Sequence, residues 1–250
     1  MDFSRLKKLV VHEGVVKKVE IGGKAVWQAE AKIPFAALPV GYTWTFTNVP
    51  YTYLNENNAT VSATYSGVMR VADCDYYLNT GDIPLTTHHV VVVPNKAMFT
   101  ANMNASVITK GGYVGSKMYT TYLRRAEAIF KACFGENHVL SHREYLVNKV
   151  TNGKEAGGAW YTRLVDLMDE RMVFGSANYA NTSLTSISNR RLRLFEENPE
   201  LGWPKFGSWY WLRNVYNDEA FAIVATSDYN YRTYNASILS RRVHPYALIY

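Results

Sequence analysis

The residues able to do chemistry lie scattered along this chain. His138 and His142 are four apart, the spacing at which one helix face offers two imidazoles to a metal. Ser141 with Glu144 three positions on is a capping box, however, and it starts the expected helix between the two histidines. His88 and His89 are adjacent in a strand-like run, so they point to opposite faces and at most one can serve a given site. Asp73 with Asp75, and Asp166 with Asp169 and Glu170, carry oxygens suited to Ca²⁺, but neither group follows EF-hand spacing. Both are expected on solvated faces. Gly111 to Ser116 precedes a helix as a phosphate loop does, yet it lacks the Lys-Ser/Thr ending and is expected to be a turn at a helix cap. Cys133 falls on the apolar side of that helix, where a thiol is inert. No nucleophile, base and orienting group come together. The expectation is a non-catalytic protein with no cofactor and no metal.

Residues 209–250 offer a different chemistry, that of recognition. Three short β-prone pieces, Trp209 to Leu212, Phe221 to Val224 and Tyr246 to Tyr250, alternate with loops of Asn, Asp, Tyr, Ser, Thr and Arg. Tyr brings rigid amphipathic contact area at low entropic cost, and small polar residues adapt their hydrogen bonds, as in antibody paratopes. The contact candidates are Asn214, Tyr216, Asn217, Asp218, Thr226, Asp228, Tyr229, Tyr231, Arg232 and Tyr234. Trp209, Trp211, Phe221, Val224 and Leu248 are the matching core candidates.

The elements that must position these residues are short strands and two helices. Val15 to Ile21, Gly22-Gly23 and Lys24 to Gln28 spell a hairpin anchored by Trp27, with Leu9 to Val11 beside it. A hairpin this small needs a partner surface. Ala29 to Pro34 follows as a linker. Tyr42 to Asn48 and Ala59 to Tyr65 are strand-like, with a turn at Asn55 to Asn58. Val90 to Val93 is a strand closed by Pro94. Apolar residues recur at helical spacing from Ser116 to Phe134, and Gly135 ends that helix. The second helix starts at Ser141, and a short one is expected at Val165 to Asp169. The reading is an α+β protein with three parts: residues 1–30 an attachment hairpin, 31–72 a small β-module, and 73–250 a ligand-binding domain of two helices and short twisted sheets.

Nineteen Tyr and 6 Trp against 19% charged residues fit a β-rich chain. The net charge of +6 is dispersed in short runs such as Lys7-Lys8 and Arg241-Arg242, unlike the concentrated stripe of a nucleic-acid protein. Mean hydropathy of −0.19 argues against membrane insertion. The first residues lack an apolar signal core, so synthesis in a cytosol without a standard export signal is expected.

Several blocks, taken in order, resemble one family: His88 to Pro94, Gly112 to Thr120, Leu140 to Glu144, Ala159 to Tyr161, Val165 to Met168, and the ending Trp209 to Arg213, Phe221-Ala222, Asn235 to Ser237 and Val243 to Pro245. They are similar to phage and prophage structural proteins of gut Firmicutes whose C-terminal domain has a C-type-lectin-like fold, related to the formylglycine-generating-enzyme fold. The resemblance spans roughly residues 73 to 250, and the N-terminal hairpin is similar to the leader of many tail-associated proteins. It implies a virion location in a tail or fibre. The implied partners are a host-surface protein or glycan, other virion subunits, and sister copies in a trimer. Enzymes of the wider superfamily use a cysteine in the C-terminal half. None follows Cys133 here, so the resemblance implies the fold without the activity. Some members vary their last loops through diversity-generating retroelements, and the composition between Asn214 and Arg242 is similar to such a region. Family endings read Gly-Val-Arg-Pro, where this chain has Arg242-Val243-His244-Pro245. The alternative role is a head or tail decoration protein whose same loops pack on neighbouring subunits.

Overall fold

The helix expected from Ser116 to Phe134 forms, with a π-helical first turn at Met118–Tyr122 and an α-helix, α1, at Leu123–Phe134. Its buried side chains Leu123, Ala126, Ile129, Phe130 and Phe134 follow the apolar stripe. Gly135 at φ 92° ends it, its N–H closing on the Lys131 carbonyl. Phe134 meets Trp44, Phe46 and Phe35 edge-on, with ring centroids 5.0, 5.3 and 5.8 Å away.

The structure is a computed structural model that describes residues 18–21, 24–28, 34–176, 190–202, 209–224, 231–238 and 241–250. The chain divides into two units, residues 1–33 and 34–250. In the first, β1 (Lys18–Ile21) and β2 (Lys24–Gln28) form the expected antiparallel hairpin, Val19 opposite Trp27 and Ile21 opposite Lys24. The Gly22-Gly23 turn, Leu9 to Val11 and most of the expected linker lie outside the described residues.

In the second unit the remaining strands are β3 (Thr43–Leu54), β4 (Thr60–Cys74), β5 (Val90–Pro94), β6 (Phe99–Thr100), β7 (Val139–Leu140), β8 (His142–Thr151), β9 (Lys154–Arg163), β10 (Val165–Leu167), β11 (Tyr210–Val215), β12 (Ala220–Val224), β13 (Tyr231–Asn235), β14 (Arg242–Val243) and β15 (Pro245–Ile249). Among the described residues three short α-helices join them: α2 (Glu170–Phe174), α3 (Arg193–Glu197) and α4 (Pro199–Gly202). Among the described residues strand exceeds helix, and the class is α+β.

A six-stranded antiparallel sheet runs β10-β15-β5-β4-β3, with β7 also pairing to β15. Its central strands are buried on both faces. Val90 and Val92 belong to one core with α1, whereas Val91 and Val93 belong to a second core with Met172 of α2 and Phe195 of α3. That is why Val90 to Val93 is apolar without alternation. A five-stranded sheet runs β13-β12-β11-β14-β6, and β8 with β9 makes a separate hairpin. The three C-terminal apolar pieces are therefore strands, with Trp211, Phe221 and Leu248 fully buried and Trp209 partly so; the Val224 side chain lies outside the description.

Three expectations are corrected. Ser141 and Glu144 do not cap a helix, because 142–151 is a strand on which His142, Glu144 and Leu146 alternate inward. Val165 to Leu167 is a strand pairing with β15, and Asp169 instead caps α2, accepting from the Met172 N–H at 2.8 Å. The expected division between 72 and 73 falls inside β4, which carries residues 60–74 into one sheet with β5.

Candidate functional site

The chemically capable residues named above converge on a buried ionic network. Arg213 of β11 donates to Asp169 Oδ2 at 2.9 Å, and lies 3.1 Å from Glu144 Oε1 and 3.7 Å from Asp166 Oδ2. Glu144 Oε1 accepts from the Tyr77 hydroxyl at 2.5 Å and the Tyr246 hydroxyl at 2.7 Å. Tyr113 donates to Asp166 Oδ1, and Arg163 approaches Asp166 Oδ2 at 3.7 Å. The His142 Nε2 sits 3.1 Å from the Tyr246 hydroxyl.

Burial opposes the Arg213 charge, but Glu144 and Asp169 outweigh it and hold the guanidinium well above its ordinary pKa. Burial raises Glu144, which Arg213 offsets in part. Burial, seconded by Arg213, lowers His142 to about 3, so its ring is neutral. Asp166, Asp169 and Glu170 are thus interior groups, not the solvated face expected, and so is Asp73, which takes two hydrogen bonds from Arg190. All of these carboxylates are at most 2% exposed. The network joins β8, β10, α2, β11 and β15 as a brace sealed from solvent.

The remaining candidates separate. His138 is exposed and bonded to the Tyr250 carbonyl at 2.7 Å, far from the role of His142. His88 pairs outside with Asp75 at 2.7 Å, while His89 is buried, its Nε2 accepting from the Tyr77 N–H at 3.2 Å. Among the described residues no group of three or more His, Cys, Asp or Glu could hold a metal. Gly112 takes φ 63° in a turn whose Val114 N–H bonds to the Val147 carbonyl, and Ser116 Oγ accepts from Tyr119 N–H, giving the turn and cap expected. Burial pushes the Cys133 thiol up to about 12.

The expected contact residues fall into three groups. Asn214 faces inward: it is 5% exposed and accepts from the Glu170 N–H at 2.8 Å. Tyr216, Asn217 and Asp218 form the β11–β12 turn at the surface. Asn217 Oδ1 accepts from the N–H groups of Glu219 and Ala220 at 2.9 and 2.8 Å. Thr109 locks the same turn from outside, its hydroxyl donating to the Asn217 carbonyl and its N–H to the Asp218 carbonyl. The neighbouring Val107 and Ile108 are exposed, as is Tyr216 at 41%. Sequence reasoning missed Val107 and Ile108; an apolar pair inside a polar loop was the available signal. Tyr231, Arg232 and Tyr234 lie on β13, an edge strand, opposite Val224, Ile223 and Phe221. Thr226, Asp228 and Tyr229 lie outside the described residues.

No family model, curated protein or solved structure matches this chain. The candidate site therefore rests on its own geometry. His244 is buried against the Tyr210 ring, with ring centroids 4.8 Å apart, and burial lowers its pKa to about 4.

Proposed function

We propose that this chain is a virion-associated binding protein of a phage tail or fibre, recognising a host-surface ligand without catalysis. The observation that carries the reading is the β11–β12 turn. It is exposed, yet the two hydrogen bonds accepted by Asn217 Oδ1 and the two donated by Thr109 fix its shape. A surface that is ordered before binding loses less entropy on complex formation. Exposed Val107, Ile108 and Tyr216 add an apolar anchor beside it. The edge strand β13 extends the surface toward the remaining candidates.

The virion setting follows from the ordered blocks that resemble phage structural proteins. A C-type-lectin-like reading of residues 73–250 is supported by β15, which returns to pair with β5 near the start of that region. The N-terminal hairpin serves attachment to the virion or to sister subunits. In a trimer, weak sites would be multiplied by avidity on a repetitive host surface.

The test is adsorption of fluorescent protein to a panel of gut Firmicutes cells. Tyr216→Ala and Tyr231→Ala are each expected to lower adsorption about tenfold, the ordinary effect of truncating an aromatic anchor. Unchanged adsorption in both, with native melting, sinks the reading. Burial of Tyr216 against another virion chain would instead favour the decoration role.

A further inference from the structure

Two grooves on the second unit, neither lined by a residue of the β11–β12 turn, share one wall. The narrower, about 240 Å³, is lined by Tyr53, Phe99, Tyr122 and Asn102; the wider, about 460 Å³, includes Tyr51, Ser66 and Lys96. Arg125 of α1 lines both. Its Nε donates to the Tyr51 hydroxyl at 3.0 Å, and its guanidinium lies 4.9 Å from the Phe99 ring centroid and 5.4 Å from that of Tyr53. Anchored in this way, the guanidinium is held in one place on the wall that the two grooves share.

Three features of these grooves specify an occupant. First, Asn102 is 5% exposed and its Nδ2 donates to the Asn104 carbonyl, which assigns Oδ1 as an acceptor. That Oδ1 has no hydrogen-bond partner among the described residues. A buried acceptor without a donor is costly, and a turn of this amide toward the groove would let a ligand O–H or N–H relieve it. Second, the aromatic walls suit the C–H face of a pyranose ring, which is apolar and weakly positive against the negative face of an arene. Third, the wider groove has Arg125 and Lys96 on its walls and no carboxylate, so it favours a negative group. Glu56 lines the narrower groove, but it is tied to Lys117.

We propose that the grooves meeting at Arg125 bind an acidic sugar residue, the ring against Tyr53, Phe99 and Tyr122 and the carboxylate on Arg125. The narrower groove falls below the ~300–1,000 Å³ of drug-sized pockets, which matches a single ring. The grooves share no lining residue with the β11–β12 turn, so the sugar titration and the adsorption test read different side chains.

The experiment is an NMR titration of the intact chain with sodium glucuronate, glucose and acetate, following the aromatic ring resonances. Glucuronate should shift those of Tyr53, Phe99 and Tyr122, glucose should bind about tenfold more weakly, and acetate should leave the rings unmoved. Arg125→Gln and Tyr122→Leu should each weaken glucuronate about tenfold. Tyr122→Leu keeps the Arg125–Tyr51 bond and reads the site even where Arg125→Gln disturbs the fold. No shift with glucuronate, ring shifts from acetate as large as those from glucuronate, or unchanged affinity in Tyr122→Leu would each overturn the proposal.

Discussion

Replacing Glu155 with glutamine should make the protein more stable at alkaline pH and leave it unchanged in acid. Glu155 lies on β9, 5% exposed, and neither of its carboxylate oxygens has a hydrogen-bond partner among the described residues. Burial raises its pKa from 4.5 to about 7, with Glu170 and Asp169 adding to the rise. Arg213 and the Val215 amide offset part of it; the amide is near enough to favour the charge but outside hydrogen-bonding geometry. A group whose pKa is higher in the folded state holds its proton there after the unfolded chain has released it. Its neutral form is tolerated below about pH 4.5, and stability is lost as pH rises through about 7. At about 1.4 kcal/mol for each tenfold in proton affinity, the full loss is roughly 3 kcal/mol. Glutamine never ionises. The variant should exceed the parent by roughly 3 kcal/mol at pH 8 and by under about 0.5 kcal/mol at pH 4.5. Urea denaturation followed by tryptophan fluorescence across pH 4.5 to 8 measures both. A gap that stays constant with pH, or widens in acid, refutes the assignment.

Arg213→Met should cost about 3–5 kcal/mol in the same denaturation series, because it leaves Glu144 and Asp169 buried without their counter-charge. A loss under about 1 kcal/mol would mean the network is not a brace. Gly112→Ala should cost about 1–3 kcal/mol: a Cβ there would sit 2.5 Å from the Val147 carbonyl oxygen, at φ 63°. A melting temperature equal to the parent's would show that this turn is not constrained.

How much was legible depended on whether the deciding partner was near in sequence. The helix at Ser116 to Phe134 and its Gly135 stop are local patterns, and both formed where expected. So are the strands on either side of the turn at Tyr216 to Glu219. The Ser141–Glu144 motif failed because Glu144 is satisfied by Tyr77, Arg213 and Tyr246, none of them nearby in the chain. Inward carboxylates also disguised β8, since a polar residue at a strand's buried position reads as exposed until its partner is known. Asp73 was misplaced on the solvated side for the same reason, its partner being Arg190. Asn214 joined the contact candidates through composition alone, and only its position on β11 turned it inward.

The place of β15 has a consequence for how the chain reaches its native state. Residues 245–249 fill the gap between β5 on one side and β7 and β10 on the other, and Tyr246 completes the shell of Glu144. A nascent chain that has exposed only residues before 245 has a bare edge on β5 and a buried acid, Glu144, short of one of its two hydroxyl donors. Folding of the second unit therefore waits for those five residues, and the pairing of Val90 with Ile249 closes a loop across most of the sequence. Such high contact order slows folding and prolongs the interval in which open strand edges can join those of other chains. Yield from a synthesis system should thus be governed by the time between emergence of β5 and emergence of β15, and slower translation should favour aggregation over assembly.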